Sequence, residues 1–127
     1  MKRYTRNRND LPGNVGARIV RPRMLHWAFP TSWQMLSHTS IIGAVFCHMK
    51  NHYRGDEIFV DEMFISPECQ RKGHGTKLMN EVEKFAKDNS FISITLLTGK
   101  GKPAYDFYEK FGCKHLDHLA FMYKRMV

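Results

Sequence analysis

Between Glu57 and Asp88 the chain changes its hydrophobic period, and that change limits the fold more than any other feature. EIFVDEMFIS (57–66) is apolar and β-branched, reads as a strand, and is closed by Pro67. From Gly75 to about Asp88 the period is helical. Leu78, Val82, Phe85 and Ala86 fall at i, i+4, i+7 and i+8 and form one apolar stripe. FISITLLT (91–98) is again a strand, with no charged residue. A strand, a helix and a returning strand require a layer of sheet against a layer of helix. The joint between them is QRKGHG (70–75). Gly73 and Gly75 cost backbone entropy where a helix should start, so the bare backbone must serve another purpose. The free amides of a first helical turn point outward, and the helix dipole favours negative charge there. Arg71, Lys72 and Lys77 add cations. This turn is suited to hold a phosphate group.

The rest of the chain extends the sheet. ARIVRP (17–22), Ser32–Leu36 and Ile41–Lys50 read as strands, the last two as a hairpin about SHTS. NHYRGDE is a turn, and TGKGKP a loop. Ala104, Phe107, Tyr108 and Phe111 predict a short second helix stopped by Gly112. Residues 113–127, ending in LAFMYKRMV, are expected to add one or two strands. The predicted order is β-β-β-β-α-β-α-β, an α/β (α+β) sheet domain over residues 17–127.

Charge separates the first residues from that domain. Residues 1–25 hold Lys2, Arg3, Arg6, Arg8, Arg18, Arg21 and Arg23 against Asp10, which is six of the eight net positive charges. Residues 1–16 therefore read as a basic arm, solvated rather than bound to nucleic acid. The three cysteines, Cys47, Cys69 and Cys113, show no CxxC pair, which argues against a disulfide framework and fits a reducing compartment. No apolar run approaches the roughly 18 residues of a membrane span, and the basic start lacks a signal's apolar core. A cytoplasmic location is expected. His115 and His118 could share a metal on a helix, but no third ligand is evident.

Two phosphate-binding families can be set aside. The GxxxxGK[ST] loop is absent. Gly99-Lys100-Gly101-Lys102-Pro103-Ala104 fits GxGxxA, but too little chain follows for the remaining units of a dinucleotide fold. Q-R-K-G-H-G, preceded by VDEMFISPE, instead resembles motif A of the GNAT superfamily, the acyl-CoA-dependent N-acetyltransferases. AYDFYEKFGC (104–113) resembles the motif B segment of the same superfamily. The likeness covers roughly residues 41–127.

The resemblance implies a GNAT-like mixed, mostly antiparallel central sheet flanked by helices. It implies acetyl-CoA as cosubstrate, with no metal, and a small-molecule or peptide amine as acceptor. The CoA diphosphate would lie on Gln70, Arg71, Lys72, Gly73, His74, Gly75 and Thr76, with the His74 side chain lining the turn or facing solvent. The pantetheine would pair like an added strand with Met63, Phe64 and Ile65, helped by a bulge that splays the two central strands. Tyr108 would protonate the departing thiolate, while Phe107 and Phe111 serve the core. Asp61 ranks first and Glu62 second as general base, with a water relay. Neighbours on a strand face opposite ways, so only one of the two should face the acceptor. The Met63 amide would stabilise the oxyanion.

Three departures accompany the likeness. Gly101 stands where motif B has Asn, leaving Lys100 or Lys102 to contact CoA. Cys113 replaces a Phe. Only Met24–Trp33 is available for the two helices that usually wall the acceptor site, so the N-terminal helical region is shortened. A homodimer partner could complete the site. The alternative reading is a degenerate CoA-binding or nucleic-acid-associated regulatory module; neither nucleic acid nor membrane is the expected partner.

Overall fold

Among the described residues, six strands form one sheet in chain order. They are β1 (Arg3–Arg6), β2 (Ala17–Arg23), β3 (Thr31–Ser37), β4 (Ser40–Lys50), β5 (Glu57–Ile65) and β6 (Ser93–Leu96). A 3-10 turn (Pro67–Cys69) and helix α1 (His74–Asp88) join β5 to β6, and α2 (Pro103–Phe111) follows. The computed structural model describes residues 3–6, 17–23, 31–38 and 40–127, with only the backbone for 3–6, 17 and 21–23. The chain divides into two compact units, residues 1–97 and 98–127.

In the first unit, β1 to β5 run antiparallel, each to the next, and β6 runs parallel to β5. The parallel pair needs a crossover, and the amphipathic α1 supplies it. The mixed, mostly antiparallel GNAT-like sheet is therefore present. One expectation changes at the start of the chain. Residues 3–6 of the proposed arm form β1, with Arg3 opposite Arg23 and Arg6 opposite Val20. RYTR sets the strand-favouring Tyr4 and Thr5 between two bases, so it can pair as a strand despite its charge. The remainder of 1–16, and residues 24–30 of the short segment before β3, lie outside the described residues.

The core lies between α1 and one face of the sheet. Trp33, Met35, Val45, Cys47, Ile58, Leu78, Met79 and Val82 are fully buried. Trp33 on β3 meets Phe85 of α1 edge-on at 5.4 Å, which fixes this as the face that α1 covers. Gly43 permits the close approach of β4. A Cβ there would stand 2.6 Å from Ile65 Cδ1 and 3.0 Å from the Phe64 carbonyl oxygen. The predicted stripe holds for Leu78, Val82 and Ala86, while Phe85 is half-buried between Trp33 and Phe91.

The second unit holds α2 and the last residues. Pro103 opens α2, and Gly112 ends it in the left-handed region at φ 112. The Gly112 and Cys113 amides bond back to the Glu109 and Tyr108 carbonyls, a glycine stop of the expected kind. The strands expected in 113–127 do not form. Leu119, Phe121, Met122, Tyr123 and Met126 are exposed instead. Their composition suits a strand, but a strand also needs a paired edge, and no ladder among the described residues includes them.

Candidate functional site

The turn after β5 is an uncapped helix start. Arg71 (φ 61) and Gly73 (φ 82) both take left-handed backbone, the first at a cost of roughly 1–2 kcal/mol for a side-chain-bearing residue. Gln70 braces the turn by donating from Nε2 to the Ile65 carbonyl at 3.0 Å. The Ser66 amide ties the end of β5 to the Ile42 carbonyl at 2.8 Å. The helical ladder begins with the Lys77 amide on the Gly73 carbonyl, so the amides of 73–76 precede it. No side chain caps this end, and its first turn holds no acid. A Cβ at Gly73 would meet nothing within 4 Å. Open space, the amides of a helix start and a dipole with no acid beside it meet at one point, flanked by the exposed Arg71 and Lys72.

His74 opens the helix with its side chain buried, not in solvent. Burial first, then the charges of Lys77 and Lys72, hold its imidazole below the ordinary 6.5. The unfolded chain therefore takes up this proton at a higher pH than the native protein does. The stabilising effect is complete above about pH 6.5 and is lost as pH falls through the lower native value. We expect the melting temperature to fall between pH 7.5 and 5, and His74→Gln to flatten that dependence. An equal slope in the variant would exclude His74 as its source.

β5 reaches this turn with one edge partly bare. β6 pairs only with Glu57 to Val60, and among the described residues no strand pairs with 61–65 on that side. The register against β4 breaks at the same place. Phe46 opposes Glu62 and Cys47 opposes Val60, leaving Asp61 as the extra residue of a bulge. The predicted bulge is therefore real, and it changes where the two carboxylates point. Glu62 shares the face of Phe46, away from α1. Asp61 reaches His48, which opposes Phe59 on that same face. Both acids thus lie on one face instead of opposite faces. Met63 opposes Val45 and Ile65 opposes Gly43, on the α1 side, while Phe64 shares the face of the acids.

Comparison with known proteins places the chain in a family. Residues 4–113 match the acetyltransferase (GNAT) family. The chain belongs to that family. It is 30% identical over 87 residues to N-alpha-acetyltransferase 50 of Danio rerio, which is 67% of this chain and 52% of that protein. The chain thus spans about half the length of the curated relative it matches. Among solved structures it is similar to the aminoglycoside acetyltransferase meta-AAC0020 from an uncultured soil metagenomic sample. That likeness has a TM-score of 0.70 at 18% identity and covers 77% of this chain and 66% of the other. The aminoglycoside N-acetyltransferase AAC(6')-Iy, solved with CoA, superposes with a TM-score of 0.68 at 14% identity, over 77% and 78% of the two chains. At these identities the solved structures speak for a shared GNAT fold.

Within the GNAT second unit, Tyr108 is the buried residue of α2. Phe107 and Phe111, expected as core, are half-buried. Lys102 is the N-cap of α2 and is exposed, and Gly101 takes φ 73. Residues 115–118 are not helical, so the helix on which His115 and His118 could share a metal is not formed. Two of the thiols, Cys47 and Cys113, are poor nucleophile candidates. Burial, with help from the Asp61 charge, pushes Cys47 up to about 12, and burial also raises Cys113. No helix among the described residues is long and apolar enough to cross a membrane.

One residue of this region escaped the sequence reading. His48 on β4 places Nδ1 2.7 Å from the Asp61 carboxylate, and its ring lies 5.2 Å from that of Phe59. The signal was present in the hairpin register, which brings His48 opposite Phe59, two residues before Asp61.

Proposed function

We propose that this chain is an acetyl-CoA-dependent N-acetyltransferase acting on a primary amine. The observation that carries the reading is the open, uncapped start of α1 beside the bare edge of β5. The residues present fit the diphosphate of CoA. The amides of 73–76 donate, Arg71, Lys72 and Lys77 supply charge, and the glycine leaves room for close approach. Met63 to Ile65 offer strand-type hydrogen bonding to the pantetheine, and the Met63 amide is assigned to the oxyanion.

The acetyl group passes directly to the amine, as the GNAT likeness implies, and burial raises the thiols of Cys47 and Cys113 away from the nucleophilic range. The amine must lose a proton before it can attack a thioester. Asp61, and after it Glu62, supplies the basic side of this reaction. Tyr108 protonates the thiolate that leaves. Asp56, Glu57, Asp61 and Glu62 gather four acids near one end of β5, which favours a cationic acceptor such as a polyamine, an aminoglycoside or a lysine side chain. The acids of 57, 61 and 62 share the face away from α1, so they can act on one ligand. The three free cysteines suit a reducing cytoplasm. Residues supplied by a second copy of the chain would complete the acceptor wall.

The test is acetyl transfer from acetyl-CoA to a panel of amines. Turnover with polycations above neutral and acidic amines is the expected result. CoA binding with no turnover on any amine would instead favour a degenerate CoA-binding module.

A further inference from the structure

We infer that His48 takes the proton of the acceptor amine, and that Asp61 acts through it as the carboxylate that fixes the imidazole. This inference rests on the N-acetyltransferase reading above. It replaces a water relay with a side chain that is already in place.

The geometry begins with the 2.7 Å contact. An ionised carboxylate can only accept, so Nδ1 must carry the hydrogen and donate it to Asp61. That leaves Nε2 with a lone pair, the tautomer a general base needs. The bulge sets this up. Without the extra residue at 61, a regular alternation would turn this carboxylate towards α1, away from His48. Phe59 supports the ring from β5 at 5.2 Å. The His48 and Asp61 side chains retain 36% and 40% of their accessibility, so the pair is reachable by a substrate. It sits where the β5–β6 pairing ends, on the face that α1 leaves uncovered.

On the two strands that hold the dyad, the charged groups of this face are Lys50 and His48 on β4, and Glu57, Asp61 and Glu62 on β5. Ser93 and Thr95 of β6, opposite Glu57 and Phe59, add no charge. Lys50 lies over the Phe59 ring at 4.5 Å. Three acids against one lysine favour a cation beside His48 and leave Glu62 to hold the incoming ammonium. The proton balance is simple. The ammonium gives one proton to Nε2, and the imidazolium returns it to water. The freed nitrogen attacks the thioester carbon, a C–N bond forms, and the C–S bond breaks with its electron pair on sulfur. The second nitrogen proton balances the one taken up by sulfur, so the products are an amide, a thiol and one released proton.

Two measurements test the dyad, one of them independent of turnover. Nitrogen-15 NMR of the wild-type protein, with the His48 signal identified by its loss in His48→Gln, should show the Nδ1–H tautomer in the neutral ring. Asp61→Asn should weaken that preference. An Nε2–H tautomer would overturn the inference. In kinetics, His48→Gln should lower kcat/KM by about 10²-fold or more and remove the acid limb of its pH profile, with acetyl-CoA affinity unchanged. Asp61→Asn should cost about 10- to 100-fold and shift that limb without removing it. Full activity in His48→Gln beside an impaired Asp61→Asn would make the carboxylate itself the base, overturning the dyad while leaving the acetyltransferase reading intact. A wild-type protein that binds acetyl-CoA but turns over no amine would remove both.

Discussion

Gly73→Glu is expected to abolish binding of acetyl-CoA while leaving a folded protein. The backbone at Gly73 is left-handed, which costs a glutamate roughly 1–2 kcal/mol. Nothing lies within 4 Å of the added Cβ, so the fold meets no clash. A carboxylate near a helix N-terminus gains about 0.3–1 kcal/mol from the dipole and offsets part of the strain. Ligand binding has no such offset. The new charge occupies the space assigned to the diphosphate. Like charges about 4 Å apart repel by about 4 kcal/mol at an effective dielectric near 20, so a loss of at least about 100-fold in affinity should follow. Gly73→Asn separates the two effects, because Asn tolerates left-handed backbone and carries no charge. It should keep most of the affinity, measured by calorimetry, with thermal melts of both variants as the control.

Tyr108→Phe should leave acetyl-CoA affinity within about twofold and lower kcat by about 10²-fold, the usual contribution of a positioned acid. An ordinary phenol near pKa 10 is only slightly too weak an acid for a thiol near 8.5, so one proton transfer can accompany C–S cleavage. Tyr108 is also the buried residue of α2, edge-on to Phe107 at 5.2 Å. Loss of its hydroxyl can cost about 1–3 kcal/mol if a partner is stranded. Stability and turnover must therefore be read separately. A folded variant with wild-type kcat would leave Tyr108 a structural residue only.

The segment that carries this account was legible because each of its signals is local. The period of α1, the strand before it and the two glycines between them depend on neighbours a few residues apart. The helix begins one residue earlier than its pattern suggested, at His74, and the strand ends at Ile65. Motif B was likewise local, down to the stop at Gly112. The bulge at Asp61 was not readable as a position. An extra residue that is itself one of two adjacent acids leaves no trace in the alternation of apolar and polar side chains, so DE looked like an ordinary opposed pair. His48 was hidden for the same reason, since its partner depends on register across strands. The burial of Tyr108 above Phe107 and Phe111 follows from how a nine-residue helix is rotated, and four aromatic or small residues do not fix that rotation. The tail 113–127 shows the limit of propensity, which cannot supply the edge a strand requires.

The most direct test of the central claim is a calorimetric titration of the purified protein with acetyl-CoA, with Gly73→Glu run beside it. The account predicts a micromolar dissociation constant and one site in the wild-type chain, with no measurable heat of binding in the variant. Equal affinities in the two proteins, or no binding by the wild type at millimolar ligand, would contradict the assignment of the β5–α1 turn as the CoA diphosphate site.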